Sequence, residues 1–99
     1  MAEQEFVVER EEDDFGGRYF IRLAADAQGE MTYRKTGSKV ITIDHTFTPP
    51  AFRGRDVALS LVNRMIADVR GEGTKVVPLC SYVMAQFRRH PDWADLLAD

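Results

Sequence analysis

The chain has 99 residues, and its 13 Lys and Arg against 16 Asp and Glu give a formal charge of −3 at neutral pH. That length holds one domain, whose core removes about two-thirds of the unfolded chain's surface from water, and the acidic balance offers no general attraction for nucleic acid. No apolar run reaches the length of a bilayer span, and the single cysteine, Cys80, makes neither an internal disulfide nor a cysteine-based metal site.

Met1-Ala2-Glu3-Gln4-Glu5 is acidic where a leader peptide needs basic or apolar residues, so cytoplasmic residence is the expectation. Phe6-Val7-Val8, within Glu5 to Glu9, reads as a first short strand. The charged stretch Glu9 to Asp14 follows, and Gly16-Gly17 signals a turn. Tyr19, Ile21 and Leu23 alternate in a second strand that Asp26-Ala27-Gln28-Gly29 turns back. Met31 and Tyr33 mark a third, and Gly37-Ser38 leads into a fourth from Lys39 to Phe47. Such short connections predict an antiparallel meander.

Pro49-Pro50 then forbids both ladder pairing and early helix. From about Asp56 to Arg70 the apolar residues Val57, Ala58, Leu61, Val62, Met65, Ile66 and Val69 recur at helical spacing, and Gly71-Glu72-Gly73 stops the helix. Lys75-Val76-Val77-Pro78-Leu79 is a fifth strand, and the resulting strand-helix-strand unit predicts parallel pairing with the fourth. Ser81 is placed to cap a second helix through Arg89, with Val83, Met84 and Phe87 facing inward. His90-Pro91 ends it, and Trp93, Leu96 and Leu97 pack a short terminal helix. The predicted fold is α+β: five strands, mostly antiparallel, with one parallel βαβ unit and two to three helices.

Arg53-Gly54-Arg55-Asp56-Val57-Ala58 joins the fourth strand to the long helix. A basic, glycine-containing turn at a helix N-terminus aims backbone N–H groups at an anion and suits a phosphate. Asp56 opposes this, because a carboxylate about 6 Å from a phosphate charge repels it by about 3 kcal/mol at an effective dielectric near 20, before solvent screening. The alternative role for Asp56 is structural, an acid in the first turn that satisfies free N–H groups and the helix dipole.

The strand order, this turn, and the run Val77-Pro78-Leu79-Cys80-Ser81-Tyr82-Val83 with Phe87-Arg88-Arg89-His90-Pro91 downstream resemble the short, single-domain branch of the GNAT-type N-acetyltransferases, over roughly Tyr19 to Leu97. In that superfamily the turn reads Arg/Gln-x-x-Gly-x-Gly/Ala. Arg53 and Ala58 match its ends, and Asp56 stands in place of its glycine. The resemblance implies acetyl-CoA as cosubstrate, with its pyrophosphate on Arg53, Gly54, Arg55, Asp56, Val57 and Ala58 and its pantetheine beside the fourth strand. Arg88 or Arg89 would meet a CoA phosphate, and the thioester would lie where strands four and five diverge. The implied activity is that of an acyl-CoA N-acyltransferase, moving an acetyl group to an unidentified amine either directly or through Cys80. The alternative is a non-catalytic CoA-binding or protein-interaction module with the same fold.

Amine acetylation needs a base, a proton donor for the leaving thiolate and, in a covalent route, a nucleophile. Cys80 is the nucleophile candidate, because the helix pattern starting at Ser81 sets the positive end of a dipole beside it; its structural alternative is a small buried apolar residue. His45 is the base candidate and shares a predicted strand face with Ile41, Ile43 and Phe47, with Asp44 pointing the other way; its alternative is a hydrogen-bonded core histidine. Tyr82, through the role some superfamily members give a tyrosine after strand five, is the proton donor, or else a rim aromatic. Arg88 and Arg89 are otherwise a solvated helix face. His45, Cys80 and His90 have no metal-site spacing, so no metal is expected. Larger superfamily members build the acceptor site with helices between their first two strands. Glu9 to Gly17 is too short for them, which leaves a pocket that is truncated or completed by a partner such as a second copy in a homodimer.

Overall fold

The computed structural model describes residues 6–98, so the acidic segment Met1 to Glu5 lies outside the described residues. Five strands, β1 (Glu9–Glu12), β2 (Gly16–Ala24), β3 (Ala27–Gly37), β4 (Val40–Phe47) and β5 (Lys75–Pro78), form one sheet in chain order. Helix α1 (Val57–Glu72) joins β4 to β5 and α2 (Ser81–Arg89) follows β5, with 3-10 segments at Pro50–Phe52 and Pro91–Leu96. Strands β1 to β4 pair antiparallel and β4 pairs β5 in parallel, which is the expected α+β architecture.

All helices cover one face of the sheet. Leu61, Val62, Met65 and Val69 of α1 are buried against Tyr19, Ile21, Met31, Tyr33 and Ile43, each fully buried aliphatic contributing about 1.5–3 kcal/mol. Val83, Phe87, Trp93 and Leu96 extend the same core. Trp93 packs edge-on to Phe87 and stacks on His90 with ring centroids 3.9 Å apart. The other face of the sheet is polar: Arg18 bridges Glu11 and Glu30 and lies 4.0 Å above the ring of the buried Phe20. Leu97 bridges to Val76, and the Ala98 N–H donates to the Val76 carbonyl at 2.9 Å, so the end of the described chain covers the outer edge of β5. No helix is long and apolar enough to cross a membrane.

The first strand lies later than the apolar run predicts. Phe6 and Val8 do pack against the core, but the paired residues are Glu9–Glu12. What holds β1 is charge. Arg10 reaches across to α1, donating from Nη1 to Glu72 at 2.6 Å and to Asp68 at 3.3 Å, and from Nε to the Tyr33 hydroxyl at 3.0 Å. The Tyr19 hydroxyl donates to Asp68 at 2.9 Å and the Tyr33 hydroxyl to Glu12 at 2.6 Å. Burial works against the Arg10 charge, yet the hydrogen bonds to Glu72 and Tyr33 outweigh it and hold the guanidinium above its ordinary value. Burial and the Glu12 hydrogen bond push the Tyr33 phenol up to about 12.

Gly16 and Gly17 are not a turn either. Both lie in β2, where a β-carbon on Gly16 would stand 2.9 Å from Arg34 Cα and one on Gly17 would stand 2.8 Å from the Tyr33 hydroxyl. They are glycines because the neighbouring strands come too close for a side chain. The turn is built by Asp13, whose carboxylate accepts the Phe15 N–H at 2.8 Å and the Gly16 N–H at 3.1 Å. Those two bonds hold the Asp13 carboxyl below its usual range.

The next turn is tighter than expected and the one after it lies one residue later. The β2–β3 connection is Ala25-Asp26 alone, Ala27 to Gly29 being already in β3, and the β3–β4 turn is Ser38-Lys39. Lys39 adopts φ 58° and donates from Nζ to the Glu72 carbonyl at 2.8 Å, closing the C-terminal end of α1. Helix α1 runs past Arg70 to Glu72, with Gly73 at φ 72° as its cap. At α2 the cap position is Cys80, with no side-chain cap bond, and Ser81 is the first helical residue instead of the cap.

Candidate active site

The site begins where β4 and β5 part. Their ladder ends at Ile43 and Pro78, and the Ile43 carbonyl then accepts both the Leu79 and Cys80 N–H groups, at 3.0 and 3.1 Å. There the chain leaves the sheet for α2, while β4 continues to Phe47 paired only with β3. The β5 side of β4 from Asp44 onward therefore has no strand beside it among the described residues.

Within that stretch β4 carries an extra residue. Tyr33 pairs with Ile43 and Thr32 with His45, leaving Asp44 as a bulge. Because strand faces alternate, one inserted residue reverses every face beyond it. Thr46 now sits opposite the buried Met31, on the helical side, and His45 sits opposite Thr32 on the polar side. This corrects the expectation that His45 shares a face with Ile41 and Ile43. His45 is exposed, as is Asp44, which accepts a hydrogen bond from Thr32 Oγ1 at 2.6 Å and lies 3.4 Å from Arg34.

On the helical side a cleft of 420 Å³ runs from the fork to the start of α1. Thr46, Thr48 and Phe52 form one wall, Tyr82 closes the fork, and Arg53, Gly54, Asp56, Val57, Ala58 and Leu59 form the floor at the helix N-terminus. Cys80 is half-buried beside it, its Sγ 3.4 Å from Thr46 Oγ1. Burial, together with the negative charge of Asp56, raises the Tyr82 phenol above its ordinary value, and Arg89 acts the other way. The structure thus brings Cys80, Tyr82 and the turn together and leaves His45 on the far face of β4.

The turn itself departs from its expected chemistry at one point. Gly54 has φ 82° and Asp56 φ 63°, both left-handed. A glycine takes that conformation without cost, and Asp is among the few other residues that tolerate it. Asp56 therefore keeps a backbone course open to the glycine that the resembled motif has at this position. Its carboxylate does not cap α1: it makes no hydrogen bond or ion pair among the described residues, and only its carbonyl is used, by the Ser60 N–H at 2.9 Å and the Ser60 hydroxyl at 2.8 Å. The capping role expected for this acid is absent because the left-handed backbone does not follow the extended course of an ordinary cap. Of the arginines, Arg53 donates from Nε to the Thr48 carbonyl at 3.3 Å and Arg55 lies 5.6 Å from the Phe52 ring centroid. Arg88 and Arg89 are exposed in the last turn of α2 and do not line the cleft, although the Arg89 charge acts on Tyr82 at its wall.

A larger cleft, of 510 Å³, opens at the β1–β2 turn around Glu11, Glu12, Asp13 and Phe15. It is lined by no cysteine or histidine, its carboxylates are already engaged by Arg18, by Tyr33 and by backbone N–H groups, and its Thr32 hydroxyl is bonded to Asp44. Sequence reasoning missed Thr46, Thr48 and Phe52. Thr46 was hidden by the bulge, whereas Phe52 carried a readable signal as an aromatic directly before the basic turn.

A sequence model of the GCN5-related N-acetyl-transferase family matches residues 18–96. Protein NATD1 of Gallus gallus is 25% identical over 92 residues, covering 92% of this chain and 84% of that protein. A GCN5-like protein of Staphylococcus aureus solved by NMR shares the fold with a TM-score of 0.70 at 22% identity, over 91% of this chain and 87% of that one. With the forked β4–β5 pair leading into a left-handed turn at the N-terminus of α1, and a family match that spans most of the sequence, the chain belongs to the GCN5-related N-acetyl-transferase family.

Proposed function

We propose that the protein transfers an acetyl group from acetyl-CoA to the nitrogen of an amine, with the thioester held at the fork of β4 and β5. The observation that carries this reading is the uncovered β4 edge, which begins beside Cys80 and Tyr82 and leads to the N-terminus of α1. An open edge presents peptide groups to the amides of an extended pantetheine arm, as it would to an added strand. The N–H groups at the start of α1 and the left-handed turn suit a phosphate at the other end. When bound, the thioester supplies the electrophilic carbonyl.

The chain's own groups divide the remaining work between two faces. Cys80 Sγ attacks the carbonyl, the bond to the CoA sulfur breaks, and the Tyr82 hydroxyl, neutral in its half-buried setting, protonates that sulfur. The acceptor then approaches the fork from the polar face, its nitrogen bonds to the acetyl carbon as the bond to Cys80 Sγ breaks and returns the thiolate, His45 on that face takes the proton that the amine releases, and Tyr82 is reprotonated from solvent. Incubation with acetyl-CoA followed by intact-mass measurement tests this: an acetyl adduct is expected on the wild-type chain and absent from Cys80→Ala. Amine acetylation that persists in Cys80→Ala and disappears in His45→Ala shows direct transfer instead. Absence of any adduct, transfer or thermal shift at millimolar acetyl-CoA removes the enzymatic reading.

A further inference from the structure

We propose that Asp56 is a specificity-determining residue that makes the cleft hold its donor by the pantetheine arm and not by the diphosphate, so that pantetheine thioesters without a nucleotide serve nearly as well as CoA thioesters. This rests on the reading that the cleft takes an acyl thioester, and it concerns what part of that thioester the site selects. The Asp56 carboxylate lines the cleft floor, is exposed, and makes no hydrogen bond or ion pair among the described residues. It is therefore free to act on whatever lies over the turn. Its charge already reaches across the cleft, since it opposes ionisation of Tyr82 on the other wall.

Asp56 cancels one of the two arginine charges of the turn, and those arginines are partly committed. Arg53 is tied to the Thr48 carbonyl and Arg55 to the Phe52 ring. A diphosphate brings a full charge on each phosphate to the same place, so its second charge is left to the backbone N–H groups of α1 and to the more distant Arg89. The fork and the open β4 edge, by contrast, have no acidic side chain on their cleft side: Thr46, Thr48 and Tyr82 line it, and Asp44 lies on the other face. Everything that favours an uncharged, amide-bearing arm is intact, and what favours the diphosphate is halved.

The test is calorimetric titration of the wild-type chain, Asp56→Asn and Asp56→Gly with CoA and with pantetheine. The expected result is a wild-type affinity for CoA within about threefold of that for pantetheine. Both variants should tighten CoA by about tenfold, a gap that narrows in high salt, and leave pantetheine unchanged. Asp56→Asn removes the charge while keeping a residue that tolerates φ 63°, so it separates electrostatics from backbone strain. A gain in Asp56→Gly alone overturns the proposal, as does a wild-type preference for CoA of about a hundredfold that neither variant alters; in both cases thioester binding itself stands. Binding of neither compound overturns the thioester reading and the specificity proposal together.

Discussion

Thr46 Oγ1 stands 3.4 Å from Cys80 Sγ, on the cleft side of the fork where β4 and β5 part. The contact joins residues 34 positions apart in sequence and is the one polar side-chain contact recorded for the thiol among the described residues. A hydroxyl at this distance orients a sulfur and stabilises its anion. Thr46→Val should therefore slow alkylation of Cys80 by iodoacetamide by about fivefold, in line with the roughly 1 kcal/mol of one hydrogen bond. Thr46→Ser should restore the rate. A rate unchanged by valine would show that the hydroxyl only fills space.

Gly29 lets α1 sit directly on β3. A β-carbon there would collide with Val57 Cγ1, at the first residue of the helix, and lies 3.7 Å from the Phe47 carbonyl. Val57 is stiff at χ1 and cannot swing aside. Gly29→Ala should cost about 1–3 kcal/mol in urea unfolding, the range for overpacking a core. Because the displaced residue belongs to the Arg53 to Ala58 turn and lines the cleft, ligand affinity should fall with stability. Gly71, whose β-carbon would meet nothing within 4 Å, is the control, since alanine there should stabilise α1 slightly.

Acid stability should depend on Glu12. The Tyr33 hydroxyl, opposed by some burial and aided by Lys35 and Arg10, holds its carboxyl below the usual value of 4.5. A carboxyl whose folded value is depressed adds stability that is fully present above the unfolded value and is lost as pH falls through the folded one. Thermal melts should therefore decline below about pH 4.5, and Glu12→Gln should flatten that decline. An identical acid limb in the variant would assign the effect to other carboxylates, of which Asp13 and Asp95 are the nearest in kind.

Arg10 should be the main fastening of β1. Its guanidinium meets Asp68 and Glu72 and lies 5.1 Å from the Tyr19 ring centroid, with its side chain 19% exposed. Arg10→Met keeps the apolar stem and leaves three carboxylates, Glu12, Asp68 and Glu72, without this partner, which should cost about 1–3 kcal/mol. Hydrogen exchange should then accelerate at Glu9–Glu12 before it does in β3 or β4. Uniform acceleration across the sheet would mean that β1 is not a separate unit of stability.

What could be read from the sequence was what periodicity encodes. The alternation of Tyr19, Ile21, Met31 and Tyr33 and the helical stripe from Val57 to Val69 determine the meander, the crossover helix and nearly all of the core. What escaped reading depends on contacts between residues far apart. Strand β1 is held by Arg10 reaching residues 58 and 62 positions away, a bond that no local pattern announces. Gly16 and Gly17 look like a turn until the neighbouring strands are in place. The turn at Asp56 was located correctly, but the direction of its carboxylate depends on a left-handed φ that only the folded chain reveals.

The bulge at Asp44 bears on any comparison made by alignment. Counting along β4 from Ile43, a role assigned to a position in an unbulged relative maps one residue away from the side chain that occupies the equivalent space here. Thr46 is then the spatial counterpart of the position that His45 would hold in a regular strand. Deleting Asp44 should exchange the two residues, bringing the imidazole beside Cys80 and turning the hydroxyl out to solvent, so a single residue of chain length decides which chemistry faces the fork.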